Sequence, residues 1–214
     1  MRQDVIGIVL AGGASRRMRL SGEEGHPGKA WCLFRGRTFL EWVCEALRGE
    51  VGGVIVVAGP AQRLPELAAD VRVVRDSTPG AGPLAGIRDA LRLATAGPQP
   101  ARVACIASCD VPLLRGEVVR LLIEAAATPG CGWAVPLVHG HRQVLLSAMR
   151  PDLLGAIEEH LAAGRRDPRG LLERLESTAP ETIRIVPERE MAAVDPALES
   201  FRDIDTPEDL ESLG

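Results

Sequence analysis

Short runs of aliphatic, mostly β-branched residues alternate with segments whose apolar residues recur at helical spacing. The first run, residues 5–10, is too short for a buried helix and predicts a central parallel strand. Further strands are predicted over 54–58, 71–74 and 103–107, and helices over 39–47, 84–93 and 118–125. Because strand and helix alternate four times, we predict an α/β, Rossmann-like fold, a mostly parallel sheet flanked by helices on both faces.

The pattern is less regular elsewhere. It predicts a short helix over 64–67, strands over 133–138 and 144–146 that form a hairpin or an insertion, helices over 153–161 and 171–175, and strands over 182–186 and 201–204. A last helix is predicted from Thr206 as N-cap, Pro207 at the first helical position and Asp209 three residues after the cap. Since no segment resembles a linker, we expect one domain over 1–214.

Composition narrows the classes of protein. The chain has 214 residues, of which 46% are hydrophobic and only 3% aromatic, so the core must be aliphatic. A net charge of −4 argues against a nucleic-acid partner, because binding to a polyanion needs a basic surface. With no signal peptide and no apolar run of membrane-spanning length, we expect a cytoplasmic protein without membrane contact. The five scattered cysteines are expected to stay reduced.

The turn after the first strand is where we expect chemistry. Gly12 and Gly13 allow backbone N–H groups to approach an anion, while Ser15, Arg17 and Lys29 add a hydroxyl and positive charge. These residues predict a phosphate-binding loop, and the alternative is a plain glycine turn with solvated arginines.

Neither common phosphate loop matches this turn. A Walker A loop would need glycine at Glu23 and Ser or Thr at Ala30, and the Gly-x-Gly-x-x-Gly dinucleotide fingerprint does not follow the strand. The loop is therefore of a third kind.

Three aspartates follow predicted strands: Asp76, Asp110 and Asp205. The loops of such a sheet converge at one edge, so these carboxylates could meet around a Mg²⁺, which needs only one or two of them when phosphates supply further ligands. Asp110 is favoured because Pro112 stiffens its loop. Ordinary turn or cap roles remain open for Asp110 and Asp205.

Taken together, these motifs resemble the molybdenum cofactor guanylyltransferases, which belong to the nucleotidyltransferase superfamily. The resemblance spans almost the whole chain and lies in Leu10-Ala11-Gly12-Gly13-x-Ser15-x-Arg17-Met18, Gly28-Lys29, Asp76, Gly82-Pro83-Leu84-Ala85-Gly86, Cys109-Asp110-x-Pro112 and Asp203-Ile204-Asp205-Thr206-Pro207-Glu208-Asp209-Leu210. It implies a Mg²⁺-dependent transfer of GMP from GTP to the terminal phosphate of molybdopterin, with release of pyrophosphate.

The same resemblance implies roles for individual residues. Its catalytic residues are Arg17, Lys29 and Asp110, and its Mg²⁺ ligand is Asp110, to which the position of Asp205 after a predicted strand adds a second candidate ligand. Its nucleotide-binding residues are Leu10, Ala11, Gly12, Gly13, Ser15, Lys29, Asp76 and Asp110. Residues 1–115 would form the nucleotide-binding half and 116–214 the acceptor-binding half. GTP and molybdopterin are the expected partners, and transient contact with the enzymes that accept the finished cofactor is compatible with this role.

Two other functions stay open at this point. The same loop would permit cytidylyl transfer to molybdopterin, or nucleotidyl transfer to a sugar or alcohol phosphate. A non-catalytic nucleotide-binding protein that assists cofactor insertion is the alternative from another class, and the presence of both Lys29 and Asp110 argues against it.

Overall fold

A computed structural model describes residues 2–12, 28–78 and 80–212. The strands are β1 (Arg2–Leu10), β2 (Leu33–Phe34), β3 (Arg37–Thr38), β4 (Val51–Ala58), β5 (Val71–Arg75), β6 (Val103–Ser108), β7 (Trp133–Val138), β8 (His141–Arg142), β9 (Leu146–Met149) and β10 (Ile183–Pro187). The helices are α1 (Phe39–Arg48), α2 (Pro83–Thr95), α3 (Gly116–Ala126), α4 (Leu154–Ala162), α5 (Pro168–Thr178), α6 (Glu188–Ala192) and α7 (Pro207–Glu211). The predicted alternation of strand and helix is thus confirmed except between β4 and β5, where the described residues 59–70 form no helix.

One sheet organises the molecule, with the strand order β10-β7-β9-β6-β1-β4-β5 and β8 paired to β7. β1 pairs in parallel with both β4 and β6, and β5 extends the parallel part beyond β4. β9 runs antiparallel between β6 and β7. In this register Leu10 lies opposite Val57 and Ser108, so the carboxyl ends of the central strands meet at one edge.

Alternate residues of β1 enter different cores, which is why the strand is apolar throughout. Val5 and Val9 pack on the side of α1 and α3, while Ile6 and Ile8 pack on the side of α2, α4 and α5. Gly7 belongs to the first face, where an added Cβ would lie 3.2 Å from the Leu47 side chain. Helices therefore cover both faces of the sheet, as predicted.

Two predicted elements are wrong. Residues 64–67 form no helix, and Pro65, which is buried, disfavours helical geometry in the residue before it. Residues 201–204 form no strand. A 3-10 turn covers Glu199–Phe201, and the next residues contact the loop after β6 through one backbone hydrogen bond, from Ile204 N to Asp110 O at 2.9 Å.

The strand predicted over 144–146 begins instead at Leu146 and ends at Met149. A buried polar residue interrupts its apolar pattern: the Ser147 hydroxyl accepts a bond from Trp133 Nε1 at 3.0 Å and donates to Val144 O at 2.9 Å. The final helix begins as predicted, with a reciprocal capping box between Thr206 and Asp209. In the described part of the chain, no helix has both the length and the apolar character needed to cross a membrane.

Candidate active site

The carboxyl end of β1 is fixed from both sides. Leu10 O accepts a hydrogen bond from Cys109 N at 3.1 Å, and Ala11 N donates to Val57 O at 2.9 Å. Gly12 is exposed where the chain leaves the sheet. The predicted residues Gly13, Ser15 and Arg17 lie outside the described residues. The backbone that opens the predicted phosphate loop is therefore held in register with β4 and β6.

Lys29 connects three distant segments of the chain. It begins a 3-10 turn, Lys29–Trp31, preceded by Gly28 with a φ of 95°. Its Nζ donates to Asp110 Oδ2 at 2.9 Å and to Asp205 Oδ1. Because 81 and 176 positions separate the lysine from these carboxylates, only the folded sheet brings them together.

The electrostatics of this cluster keep the lysine charged. Burial by itself lowers the pKa of the Lys29 ammonium, but the hydrogen bonds and charges of Asp205 and Asp110 outweigh it and raise the pKa above its ordinary value. Asp203 is exposed as a residue, yet desolvation of its carboxyl group and the charges of Asp110 and Asp205 raise its pKa to about 6. A strongly cationic group thus faces several carboxylates.

The two carboxylates on Lys29 are positioned by their own loops. Asp110 follows β6, and its carbonyl accepts Ile204 N, which brings the segment before α7 to this edge. Asp205 directly precedes the α7 capping box and donates its own N–H to Asp209 Oδ2 at 3.0 Å. Asp110 Oδ1 is buried and has no hydrogen-bond partner among the described residues.

An unpartnered, buried carboxylate oxygen fits a metal ligand, because burial without a partner is otherwise costly. Within the described ranges no group of three or more His, Cys, Asp or Glu side chains is arranged to hold a metal. A Mg²⁺ bound to a nucleotide does not require one, since phosphates and waters supply the other ligands. Asp110 and Asp205 therefore suit a Mg²⁺ that is also bound by nucleotide phosphates, and not one that is held by protein side chains alone.

Asp76 does not join this cluster. It ends β5, its N–H donates to Ala58 O at 2.9 Å, and its Oδ1 accepts Thr78 N at 2.9 Å. β5 is three strands away from β6, a distance of roughly 14 Å at the usual spacing of strands. The expectation that Asp76 could share a cation with Asp110 and Asp205 is thus not met, and the residue lies at a separate part of the same edge.

A cavity of about 340 Å³ lies beside Asp110. Its wall has an apolar stretch around Val144 and five charged side chains: Asp110, Asp167, Asp203, Arg142 and Arg169. Arg142 pairs with Glu176 at 2.8 Å, and Arg169 is exposed near the start of α5. The cavity has room for a small molecule next to the Lys29 cluster, and its wall carries charges of both signs.

Sequence reasoning did not single out Arg142, Arg169 or the side chains that support the loops. Arg165, Arg166 and Arg169 just before and at the start of α5 were a visible sign of a basic rim. A second sign was available for Lys29, which is the single lysine among 25 basic side chains. A chain that uses arginine everywhere else has kept a compact ammonium at this one position.

Known proteins similar to this chain share most of its length. The model of the family described as "MobA-like NTP transferase domain" matches residues 7–179. A protein of Mycobacterium avium named "Probable molybdenum cofactor guanylyltransferase" is 36% identical over 173 residues, covering 78% of this chain and 80% of its own. The "Molybdenum cofactor guanylyltransferase" of Desulfosudis oleivorans is 30% identical over 207 residues, covering 97% and 93%.

One solved structure shares both fold and sequence. It is the molybdopterin-guanine dinucleotide biosynthesis protein A of Archaeoglobus fulgidus, with a TM-score of 0.76 and 26% identity, and the match covers 97% of this chain and 95% of that one. Its agreement over nearly the full length confirms the predicted Rossmann-like architecture.

Proposed function

We propose that this chain, which belongs to the family of MobA-like NTP transferase domains, transfers GMP from GTP to the terminal phosphate of molybdopterin and releases pyrophosphate. The observation that carries the proposal is the contact of the Lys29 ammonium with both Asp110 and Asp205. Asp110 adjoins the end of β1 through Cys109 and also lines the cavity. A nucleotide on one side and an acceptor on the other would meet at these residues.

The chemistry requires alignment and charge neutralisation. An acceptor phosphate oxygen attacks the α-phosphorus of GTP, a new P–O bond forms, and the bond to pyrophosphate breaks with its electron pair leaving on pyrophosphate. Both reactants are anionic, so Lys29 lowers the barrier by neutralising charge where the phosphates approach each other. The acceptor phosphate is ionised at neutral pH, and no general base is needed.

We infer that Asp110 and Asp205 hold the Mg²⁺ of the nucleotide. When bound, the ion neutralises phosphate charge and orients the phosphate oxygens. The buried, unpartnered Oδ1 of Asp110 supports this assignment. Lys29, which contacts the same two carboxylates, contributes a positive charge of its own.

The remaining roles are assigned from the resemblance to the family. We assign catalysis to Arg17, Lys29 and Asp110, and nucleotide binding to Leu10, Ala11, Gly12, Gly13, Ser15, Lys29, Asp76 and Asp110. Residues 1–115 would form the nucleotide half and residues 116–214 the acceptor half. The second assignment is supported by the position of the cavity beside Asp110, and Arg142 and Arg169 are the side chains of its wall that would bind the phosphate of molybdopterin.

The proposal includes a cytoplasmic setting and transient contact with the enzymes that accept the finished cofactor. Both rest on the family and not on the geometry of this chain.

The test is pyrophosphate release with Mg²⁺ and molybdopterin, with GTP, CTP, ATP and UTP supplied separately. Release with GTP alone supports the proposal. Release with CTP alone keeps the mechanism and assigns the cytidylyl reaction instead. A folded protein that releases no pyrophosphate with any of the four would be non-catalytic, and the proposal would be wrong.

Substitution D110N tests the site itself. We expect turnover to fall by about 10²–10³-fold, because an amide neither carries the charge nor binds Mg²⁺ as a carboxylate does. D152N is the matched control, since Asp152 is exposed and pairs only with Arg150 at the surface. Equal activity of the two variants would contradict the assignment of Asp110.

A further inference from the structure

Two consecutive residues of the loop after β4 bind the two ends of the predicted nucleotide loop. Gln62 Nε2 donates to Ala11 O at 2.8 Å, at the point where the chain leaves β1. Arg63 O accepts from Trp31 Nε1 at 3.0 Å, two residues after Lys29. We call residues 59–63 the bracket loop, because they contact the chain on either side of the segment between Gly12 and Gly28.

The Gln62 amide can make its two contacts in only one orientation. Its Oε1 accepts Gly59 N at 3.0 Å while its Nε2 donates to the carbonyl of Ala11. A flipped amide would place oxygen against oxygen and N–H against N–H. The side chain is half-buried, so this pair of bonds fixes the end of β1 relative to the end of β4.

The bracket loop is itself fixed from the edge strand. Arg75 of β5 donates through Nη1 to Gly59 O at 3.1 Å and to Gln62 O at 2.6 Å. A turn bond from Gln62 N to Gly59 O, at 3.2 Å, closes the loop on itself. The loop is therefore a rigid support and not a segment that happens to lie near the site.

We propose that Gln62 and Trp31 are positioning residues that set the distance between the backbone of Leu10 to Gly12 and the Lys29 ammonium. The inference rests on the proposed function, in which these two parts bind the same nucleoside triphosphate. Loss of either contact would leave the chemistry of Asp110 and Lys29 in place but misalign it with the phosphate-binding backbone. The affinity for the nucleotide would therefore fall, while the affinity for the acceptor would stay unchanged.

The first test is Q62E, which keeps the shape of the side chain and the bond from Gly59 N but sets a carboxylate against the Ala11 carbonyl. We expect the Kd for GTP with Mg²⁺ to rise about tenfold, the effect of one lost hydrogen bond plus repulsion. The KM for molybdopterin should stay unchanged. Q99E is the matched control, because Gln99 is exposed in the segment between α2 and β6 and undergoes the same change of charge.

The second test is W31F, which removes only the indole N–H from the other end. We expect the Kd for GTP to rise about threefold. W42F is its control, since Trp42 Nε1 also donates to a backbone carbonyl, Phe34 O at 2.8 Å, away from the bracket loop. R75M removes the two hydrogen bonds that Arg75 of β5 donates to the bracket loop. It tests the same inference if Q62E does not fold.

The outcomes separate this inference from the proposed function. Weaker GTP binding in Q62E and W31F, or in R75M if Q62E does not fold, with an unchanged KM for molybdopterin and unchanged controls, supports the role of the bracket loop. Wild-type GTP affinity in folded Q62E, equal effects of Q62E and Q99E, or an equal rise in the KM for molybdopterin overturns it. A wild-type chain that binds neither GTP nor CTP overturns the proposed function itself.

Discussion

The two proposed halves of the carboxyl edge differ in what their loops enclose. In the nucleotide half, side chains bind the backbone of neighbouring loops, as Gln62 does at Ala11 and Asp89 does at Ser77 N, 2.9 Å away. In the acceptor half, side chains also bind loop backbone, as Ser147 does at Val144 O, but the loops leave an open cavity whose arginines, Arg142 and Arg169, are paired at the surface or exposed. A site that presents backbone N–H groups to phosphates needs a fixed backbone, whereas a site for a larger acceptor needs room and charge.

Lys29 contacts Asp110 in the first half and Asp205 in the second, so its substitution should have the largest effect on activity. We expect K29M to reduce kcat/KM by about 10²–10³-fold, because the carboxylates of Asp110 and Asp205 would then repel the phosphates without a compensating cation. K29R should not restore activity, since a planar guanidinium cannot replace a compact ammonium between two carboxylates.

Steady-state kinetics with GTP and molybdopterin provide the measurement. R92M serves as the control, because Arg92 of α2 pairs with Glu158 at the surface, away from the site. K29M with more than a tenth of wild-type activity would refute the role of the lysine.

The second prediction concerns the nucleotide half alone. Asp89 of α2 is buried, and besides Ser77 N it accepts Arg88 Nε at 2.9 Å. Burial tends to raise the pKa of this carboxyl, but the bonds from Ser77 and Arg88 outweigh burial and lower it. We expect D89A to reduce the free energy of unfolding by about 2–3 kcal/mol, because it leaves the Ser77 N–H and the Arg88 guanidinium without their carboxylate.

Urea denaturation measures the effect, and the turn that carries Asp76 should loosen, so GTP affinity should fall as well. D70A is the control, since Asp70 forms only an exposed ion pair with Arg48. Equal losses of stability in D89A and D70A would show that the nucleotide half does not depend on such bonds.

The sequence anticipated the parallel sheet and the edge that carries the site, because buried strands and amphipathic helices leave local patterns. It did not anticipate that Lys29 would contact two carboxylates, since such contacts depend on how distant loops pack. Gln62 carries no motif at all, because an amide that binds backbone can be supplied from many positions. The prediction of a helix over 64–67 was wrong because it relied on the spacing of apolar residues and gave Pro65 too little weight.

The smallest expected effect lies in the acceptor half. His160 of α4 is fully buried, and burial together with the charges of Arg165 and Arg174 lowers its pKa. Its unfolded state therefore binds a proton at a higher pH than the folded state does. The stability from neutral His160 is fully present above pH of about 6.5 and is lost as the pH falls, with a slope of at most about 1.4 kcal/mol per pH unit.

Denaturation at pH 7.5 and 5.5 should show this slope in the wild type and a smaller one in H160L. H139Q is the control, since His139 is 70% exposed at the tip of the β7–β8 hairpin. An identical pH dependence in H160L and wild type would rule out His160 as its source.

The single lysine gives this chain an unusual experimental property. Lys29 Nζ is its only side-chain primary amine, so isotopic labelling of lysine would place one spectroscopic reporter in the site without any substitution. The resonance of that amine would record changes in charge at Asp110 and Asp205 as nucleotide and metal are added. Coupling to a sensor surface through amines, by contrast, uses either the α-amine or Lys29, and reaction at Lys29 would modify the site itself, so immobilisation should use another group.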